Sequence, residues 1–431
     1  MRNKRALVSV FLAACIAVTS AVGAHAARAA TPVTLRWSFW SNNPAEIHAN
    51  QEIIAAFEAQ NPGIKIDPLF IPYASYHAKL LSEAVAGMAP DVMWVQYTYY
   101  RVFADKGALL DITNQVTKDK ALLSLLKEDT YPVDRAKIYY KNHVYGLVRD
   151  DEGLTLAYNV DMFTKAKLPT PNDYAAKGQW DWNTYLSVAR KLTVKHGSQV
   201  VQYGTGPADW YNLMYLDGGS LFNNNMSKIL LDSPQAITAA QFVADLAQKY
   251  HVAPVQTSSS PYVDYFSGQR VAMSWNAGPW LAPGYNQIQG LHWDVAPFPR
   301  APGKPYRLPA YNGAFYTISA KSQHPNEAYK LVRFMVTPTA QKLMAKALTT
   351  SPLLKSVMYS KDYLTAPGMP KHGVLFAKEN ESVVTLVFPN NWLEMQTKLN
   401  SYLDQVYLGR STAAQTLPQA AQALNPMLQQ Q

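Results

Sequence analysis

Apolar and polar positions change period along the chain in a regular order. VTLRWSFW at 33–40 reads as a strand whose aromatic load rises toward Trp40. Ser41, Asn42 and Asn43 offer helix caps, and Pro44 suits a first helical turn. Ile47, Ile54 and Phe57 then mark one face of a helix that ends at Asn61-Pro62-Gly63. IKIDPLFI at 64–71 alternates as a second strand, SYHAKLLSEAVAG at 75–87 is a helix stopped by Gly87, and PDVMWV at 90–95 is a short buried strand. Alternating β and α elements imply an α/β domain built on a largely parallel sheet. Ligands of such sheets sit beyond the carboxyl ends of the strands. Trp40 with Ser41, and Gln96 with Tyr97 and Thr98, occupy those ends.

From about 150 to 300 the helices lengthen and loops multiply. WDWNTYLSVARKLT is amphipathic, with Trp182, Leu186, Ala189 and Leu192 on one side, and PQAITAAQFVADLAQKY is a second helix. GAFYTIS then returns to a strand pattern, PNEAYKLVRFMV follows as a helix with Pro325 at its start, and the tail is helical. No internal repeat interrupts this order. At 431 residues the chain exceeds one ordinary core and fits two domains of about 200 residues each.

Charged residues are only 16% of the chain, against roughly 25% in an average soluble domain, so polar surface must come from hydroxyls, amides and indoles. That balance hints at a neutral, hydroxyl-rich ligand, although a merely tyrosine-rich protein would look the same. Part of the formal +9 belongs to the start of the chain. MRNKR is followed by the apolar run ALVSVFLAACIAVTSAVGAHA, and residues 1–30 read as a signal peptide. They hold Arg2, Lys4, Arg5 and Arg28 and no acid, so the remaining chain carries a mild +5. No dense basic block follows, which argues against nucleic acid as a partner. Two processing routes compete. Ala24-His25-Ala26 and Ala27-Arg28-Ala29 suit ordinary cleavage, whereas Leu12-Ala13-Ala14-Cys15 fits a lipobox that would place a lipid on Cys15. Either route exports the protein to the periplasm or the outer face of the cell membrane. Cys15 is the single cysteine, so the rest of the chain offers no disulfide and no thiol nucleophile.

Recognised catalytic and cofactor signatures are absent: no G-x-S-x-G, H-E-x-x-H, P-loop or G-x-G-x-x-G, and no histidines at metal-ligand spacing. No cofactor and no metal are expected. RDDEG at 149–153 is the one tight ionisable cluster. It reads as a solvated loop, as a set of acceptors for hydroxyl groups, or as part of a glycosidase pair in Asp151 or Glu152, which would need a second carboxylate across the scissile bond.

Taken in order, AFEAQNPGIKI, KLLSEAVAGMAPDVMWV, VYGLVRDDEGLTLAYNVDMFTKAKL, FSGQRVAMSWNAGPW, WDVAPFPRAPGKP and TTSPLLKSV resemble extracellular solute-binding protein family 1, the carbohydrate-binding components of ABC importers. The resemblance covers about 31–428. It implies a class II periplasmic-binding-protein fold: two α/β lobes, three crossings between them near 146–153, 308–316 and 336–341, and a ligand cleft between the lobes. The first lobe would be 31–149 plus 312–336, and the second 150–310 plus 340–431. The implied partners are a carbohydrate and the transmembrane subunits of an ABC permease, with the binding protein itself a monomer.

Carried over residue by residue, the resemblance puts Trp40 and Ser41 at the cleft, and Gln96, Tyr97 and Thr98 where relatives place polar sugar contacts. Glu152, next to Asp151, falls where maltose-type relatives set a carboxylate against sugar hydroxyls. Trp210 precedes YLDGGSLF, in a segment that lends an aromatic to the cleft. Trp280 matches the tryptophan of an "AM…GPW" element that stacks on a sugar ring. This chain has one extra residue there, at Trp275-Asn276, so Trp275 and Trp280 share the candidacy. Asn312 and Gly313 begin the stretch that lines the cleft at a crossing, and Trp392 is a further candidate. Trp37, Trp94 and Trp182 suit core packing as well as ligand contact. A pyranose has apolar faces and a rim of hydroxyls, which an indole plate and surrounding amides and carboxylates would satisfy. The expected function is therefore binding and delivery of a neutral sugar, with hinge closure, and no catalysis. An exported carbohydrate-active enzyme using Asp151 or Glu152, and a ligand sensor that reports to a receptor, are the other readings.

Overall fold

A computed structural model of the protein describes residues 32–41, 44–150, 153–258, 263–310 and 313–429. Two sheets organise two lobes. In the first, five strands run in the order Ile64–Ile71, Val33–Trp40, Val92–Gln96, Ala314–Ile318, Gly146–Val148. The first three are parallel, with Val33–Trp40 paired along its whole length to Ile64–Ile71, and Ala314–Ile318 runs antiparallel to both its neighbours. The alternation in VTLRWSFW is realised in space: Leu35, Trp37 and Phe39 are fully buried, and the rings of Trp37, Phe39 and Trp94 pack together. Trp37 and Trp94 are thus core residues.

Helix Pro44–Gln60 buries Ala49, Asn50, Ile53 and Phe57, a stripe one residue off the expected Ile47–Ile54 face. Helix Tyr73–Val85 buries Tyr76, His77, Leu80 and Ala84 and ends where Gly87 takes φ +73°, a conformation a side chain would oppose. The second lobe is built on three antiparallel strands, Met273–Ala277, Thr155–Asn159 and Trp293–Ala296. Helices Pro234–Gln248, Trp392–Tyr407 and Ala413–Leu424 pack on one another there.

The elements read from periodicity stand where they were expected: Trp182–Leu192, Pro234–Gln248, Ala314–Ile318 and Pro325–Met335 are helix, helix, strand and helix. The third crossing was expected at 336–341, with the second lobe resuming at 340. Helix Pro338–Lys346 spans that point and packs against Pro44–Gln60 and Pro325–Met335, both first-lobe helices. Gln341, fully buried, donates to the Arg149 and Met335 carbonyls and holds the helix to the end of the first lobe.

Asp150 joins the connecting segments. It is fully buried, its Oδ1 accepts from the Ala314 amide at 3.0 Å, and its Oδ2 accepts from the Thr350 hydroxyl. A third pair of segments, Leu308–Ala310 and Val383–Thr385, forms a two-stranded parallel ribbon.

Candidate functional site

The carboxyl ends of Val33–Trp40 and Val92–Gln96 and the start of Ala314–Ile318 open on a cavity of about 720 Å³. Trp40, Glu46, Tyr73, Gln96, Arg149 and Gly313 line its first-lobe wall, and Asp264, Ser267, Trp280, Tyr285 and Gln287 line the wall opposite. This size suits a small-molecule site.

Helix Tyr73–Val85 builds the first wall. Tyr73, Tyr76 and His77 stand three and four residues apart on one face, and with Trp94 they surround the Trp40 indole at ring-centroid distances of 5.2–5.8 Å. Those ring planes are inclined at 49–83° to the indole, and Trp40 forms part of the cavity wall. The Tyr73 hydroxyl donates to Gln96 Oε1 at 2.9 Å, which orients the amide. The Gln96 backbone N–H donates to His77 Nε2 at 3.1 Å. Burial holds the His77 imidazole down at about 3, so it stays a neutral acceptor at physiological pH.

The charged part of this wall is a buried three-group cluster. One Arg149 nitrogen donates to Glu46 Oε1 at 2.9 Å, the other reaches Asp150 Oδ2, and the guanidinium lies 3.8 Å over the Trp94 ring. Glu46 sits in the first turn of its helix, where the dipole favours a carboxylate. Burial nonetheless raises its pKa, opposed by Arg149 and by a hydrogen bond from Ser41. Gly313 has φ +91°, and a Cβ there would come within 3.1 Å of the Asp150 carbonyl oxygen. The glycine permits both the turn and the close approach.

On the second wall, Trp280 follows strand Met273–Ala277 through Gly278-Pro279. Its indole lies on Gly278: a Cβ at that position would stand 1.8 Å from Trp280 Cζ3. The ring is half-buried and forms part of the cavity wall. Asp264 accepts from the amides of Phe266 and Ser267 and from the Tyr285 hydroxyl, all through Oδ1.

The sequence-derived candidates separate into groups. Trp40, Gln96, Trp280 and Gly313 come together at the cavity. Ser41 touches it through Glu46. Tyr97 turns inward instead, packing near Phe315 and Phe388, and Thr98 is not among the lining residues. Trp210, Trp275 and Asn276 line a second cavity of about 330 Å³ within the second lobe, with Asp209, Gln396 and Asn400. Trp275 is 4% exposed, stacks on Phe298 at 4.8 Å and donates to the Tyr185 hydroxyl at 2.7 Å. Trp210 is 3% exposed and donates to the Ala236 carbonyl. Trp392 and Trp182 are buried as well. Asp151, Glu152 and Asn312, like residues 1–30 with Cys15, lie outside the described residues.

The extra residue in this segment is a β-bulge. Ser274 pairs with Ala157 and Ala277 with Thr155, so three steps on one strand oppose two on the other. Asn276 takes φ +61° and is held by Asp209 and Asn212. The alternation Met273, Trp275, Ala277 already signals that Trp275 faces inward. Glu46 and Tyr73 were missed, since each sits in the first turn of a helix with no mark of its own. Among the described residues no cluster of His, Cys, Asp and Glu could hold a metal, and no helix is long and apolar enough to cross a membrane.

Known proteins resemble this chain along most of its length. A maltotriose-binding protein of Pyrococcus abyssi is 23% identical over 342 residues, 76% of this chain and 68% of the relative. A galactooligosaccharide-binding protein of Bacillus subtilis is 22% identical over 390 residues, 86% of this chain and 85% of the relative. The structure of an ABC substrate-binding protein from Listeria monocytogenes in complex with cycloalternan superposes with a TM-score of 0.79 at 23% identity, covering 92% of this chain and 99% of that one, and shares the fold. The model of the bacterial extracellular solute-binding proteins matches residues 45–342, and the chain belongs to that family.

Proposed function

We propose that the protein is the extracytoplasmic binding component of an ABC importer, and that it holds a neutral sugar or oligosaccharide in the cleft between its lobes. The observation that carries this reading is the pair of indoles on facing walls, Trp40 and Trp280, with Gln96, Tyr73 and Glu46 beside them. Rigid aromatic plates cover the apolar face of a sugar at low entropic cost, and the polar groups meet its hydroxyls. A ligand that touches both walls binds the closed arrangement best and shifts the population toward it. Gly313 lines the same cleft. The protein acts as a monomer that delivers its ligand to the permease. The leader is removed at one of the two Ala-x-Ala sites or replaced by a lipid on Cys15, and the mass of the mature protein distinguishes these.

The test is a thermal-shift panel of neutral oligosaccharides, maltotriose and galacto-oligosaccharides among them, with the products analysed after prolonged incubation. A shift without new reducing ends is expected. Many turnovers per protein, lost in Glu152→Gln, would replace binding by hydrolysis.

A further inference from the structure

The cleft walls also differ from a neutral surface in a specific way. Among the described lining residues there is one basic side chain, Arg149, and it is 3% exposed and committed to Glu46 and Asp150. There are two acidic ones, Glu46 on the first wall and Asp264 on the second. Arg149 against Glu46 and Asp150 leaves that cluster without surplus positive charge. Among the described residues Asp264 forms no ion pair: its side chain accepts from two backbone amides and a tyrosine hydroxyl, all at Oδ1, and it lines the cavity.

We infer that Asp264, facing the Glu46–Arg149–Asp150 cluster across the cleft, is a charge-selecting residue: the site admits neutral and amine-bearing saccharides, favours the ammonium form, and rejects carboxylated or phosphorylated sugars. This rests on the cleft being the sugar site. The physical reason is that closure moves both acidic walls into a space from which water is leaving, where charges act more strongly than in bulk. Hydroxyl donors partly answer that acidity, an ammonium group answers it fully, and a further anion adds to it. Arg149 cannot turn to meet an anion without abandoning the fully buried Asp150 and the partly buried Glu46, and breaking a buried pair is costly. The same opposition discourages closure of the empty cleft.

The experiment uses three monosaccharides that differ in one group: glucose, glucosamine and glucuronate. Affinities are measured by ligand-observed NMR at low salt, at a pH that keeps the sugar amine protonated, for the wild type and for Asp264→Asn. Asparagine keeps an Oδ1 for the Phe266 and Ser267 amides and removes the charge. Glucosamine should bind about tenfold tighter than glucose, as expected for one partly screened unit charge. Glucuronate should bind more weakly than glucose. Added salt should shrink the glucosamine advantage, and Asp264→Asn should abolish most of it, read as the ratio of the glucosamine to the glucose affinity within the variant. Glucuronate binding as well as glucosamine, or an unchanged preference in Asp264→Asn, overturns the inference. So does binding of maltotriose with no response to any of the three. If no saccharide binds at all, the sugar reading falls first and this inference with it.

Discussion

Trp280 is the most informative single position, because the structure allows its ring to be removed or merely displaced. In Trp280→Ala the cleft loses one of two facing indoles. Aromatic anchors at the centre of an interface are worth about 2 kcal/mol or more. That is roughly a thirty-fold loss of affinity, since each 1.4 kcal/mol is tenfold. A fully buried tryptophan cut to alanine destabilises by about 3–5 kcal/mol. Trp280 is half-buried, so its folding penalty should fall well below that range. Gly278→Ala makes the complementary perturbation. Gly278 has φ −118°, which alanine adopts freely, so backbone strain is not the issue. The new methyl would stand 1.8 Å from Trp280 Cζ3 and 2.0 Å from Cη2, so the indole must leave its seat. Both variants should lose affinity at least tenfold, and both should melt within a few degrees of the wild type. Calorimetric titration with the tightest-binding neutral oligosaccharide, together with ligand-free melting curves, reads both quantities. The reasoning is refuted if Trp280→Ala melts far earlier yet binds normally where folded. Trp280 would then be a core residue, and Trp275→Ala is the control that shows whether the stacking role lies with its neighbour.

Other outcomes follow from the same geometry. Affinity for a neutral saccharide should change little between low and high salt, because stacking and neutral hydrogen bonds are weakly screened; a steep loss on titration in added salt would point to an ionic ligand. Asp150→Ala should destabilise the protein by about 3–5 kcal/mol, since it leaves the buried Arg149 charge short of a partner and unties Ala314 and Thr350; a denaturation midpoint like that of the wild type would show the cluster to be dispensable. Burial pushes the Glu379 carboxyl from 4.5 up to about 8, against Tyr306 and Arg300, which favour ionisation. The folded state therefore holds this proton more tightly, and the associated stability is complete below about pH 4.5 and is lost as pH rises toward about 8. Melting temperatures should fall across that interval more steeply in the wild type than in Glu379→Gln, and parallel curves would contradict the assignment.

The strands and long helices were legible because their periods are strong. VTLRWSFW and IKIDPLFI occupy the spans their alternation marked, and Gly87 stops its helix by the left-handed turn expected of it. The sequence around 340 does not mark which neighbours its helix packs on. Pro338 begins a fresh helix capped by Thr337, and only its packing against Pro44–Gln60 shows which lobe it accompanies. Site residues divide in the same way. Trp40 and Gln96 end strands that face a cleft by the general rule for parallel sheets, so position in the pattern was enough. Trp280 was singled out by Gly278-Pro279, and the structure gives that glycine a role as the bed of the ring. Glu46 meets Arg149 across 103 residues of sequence, a distance no local pattern spans. The side-chain roles of Trp210 and Trp275 depend on partners such as Ala236, Tyr185 and Phe298, each supplied by another element.

Binding that draws the two walls together is the heart of this account, and small-angle X-ray scattering of the free and sugar-saturated protein tests it most directly. With a saturating neutral oligosaccharide the radius of gyration should fall as the lobes close on the ligand, and Trp280→Ala should need a higher sugar concentration to reach the same compaction. Saturation proved by calorimetry with scattering curves that superimpose before and after would contradict closure around a ligand held between Trp40 and Trp280.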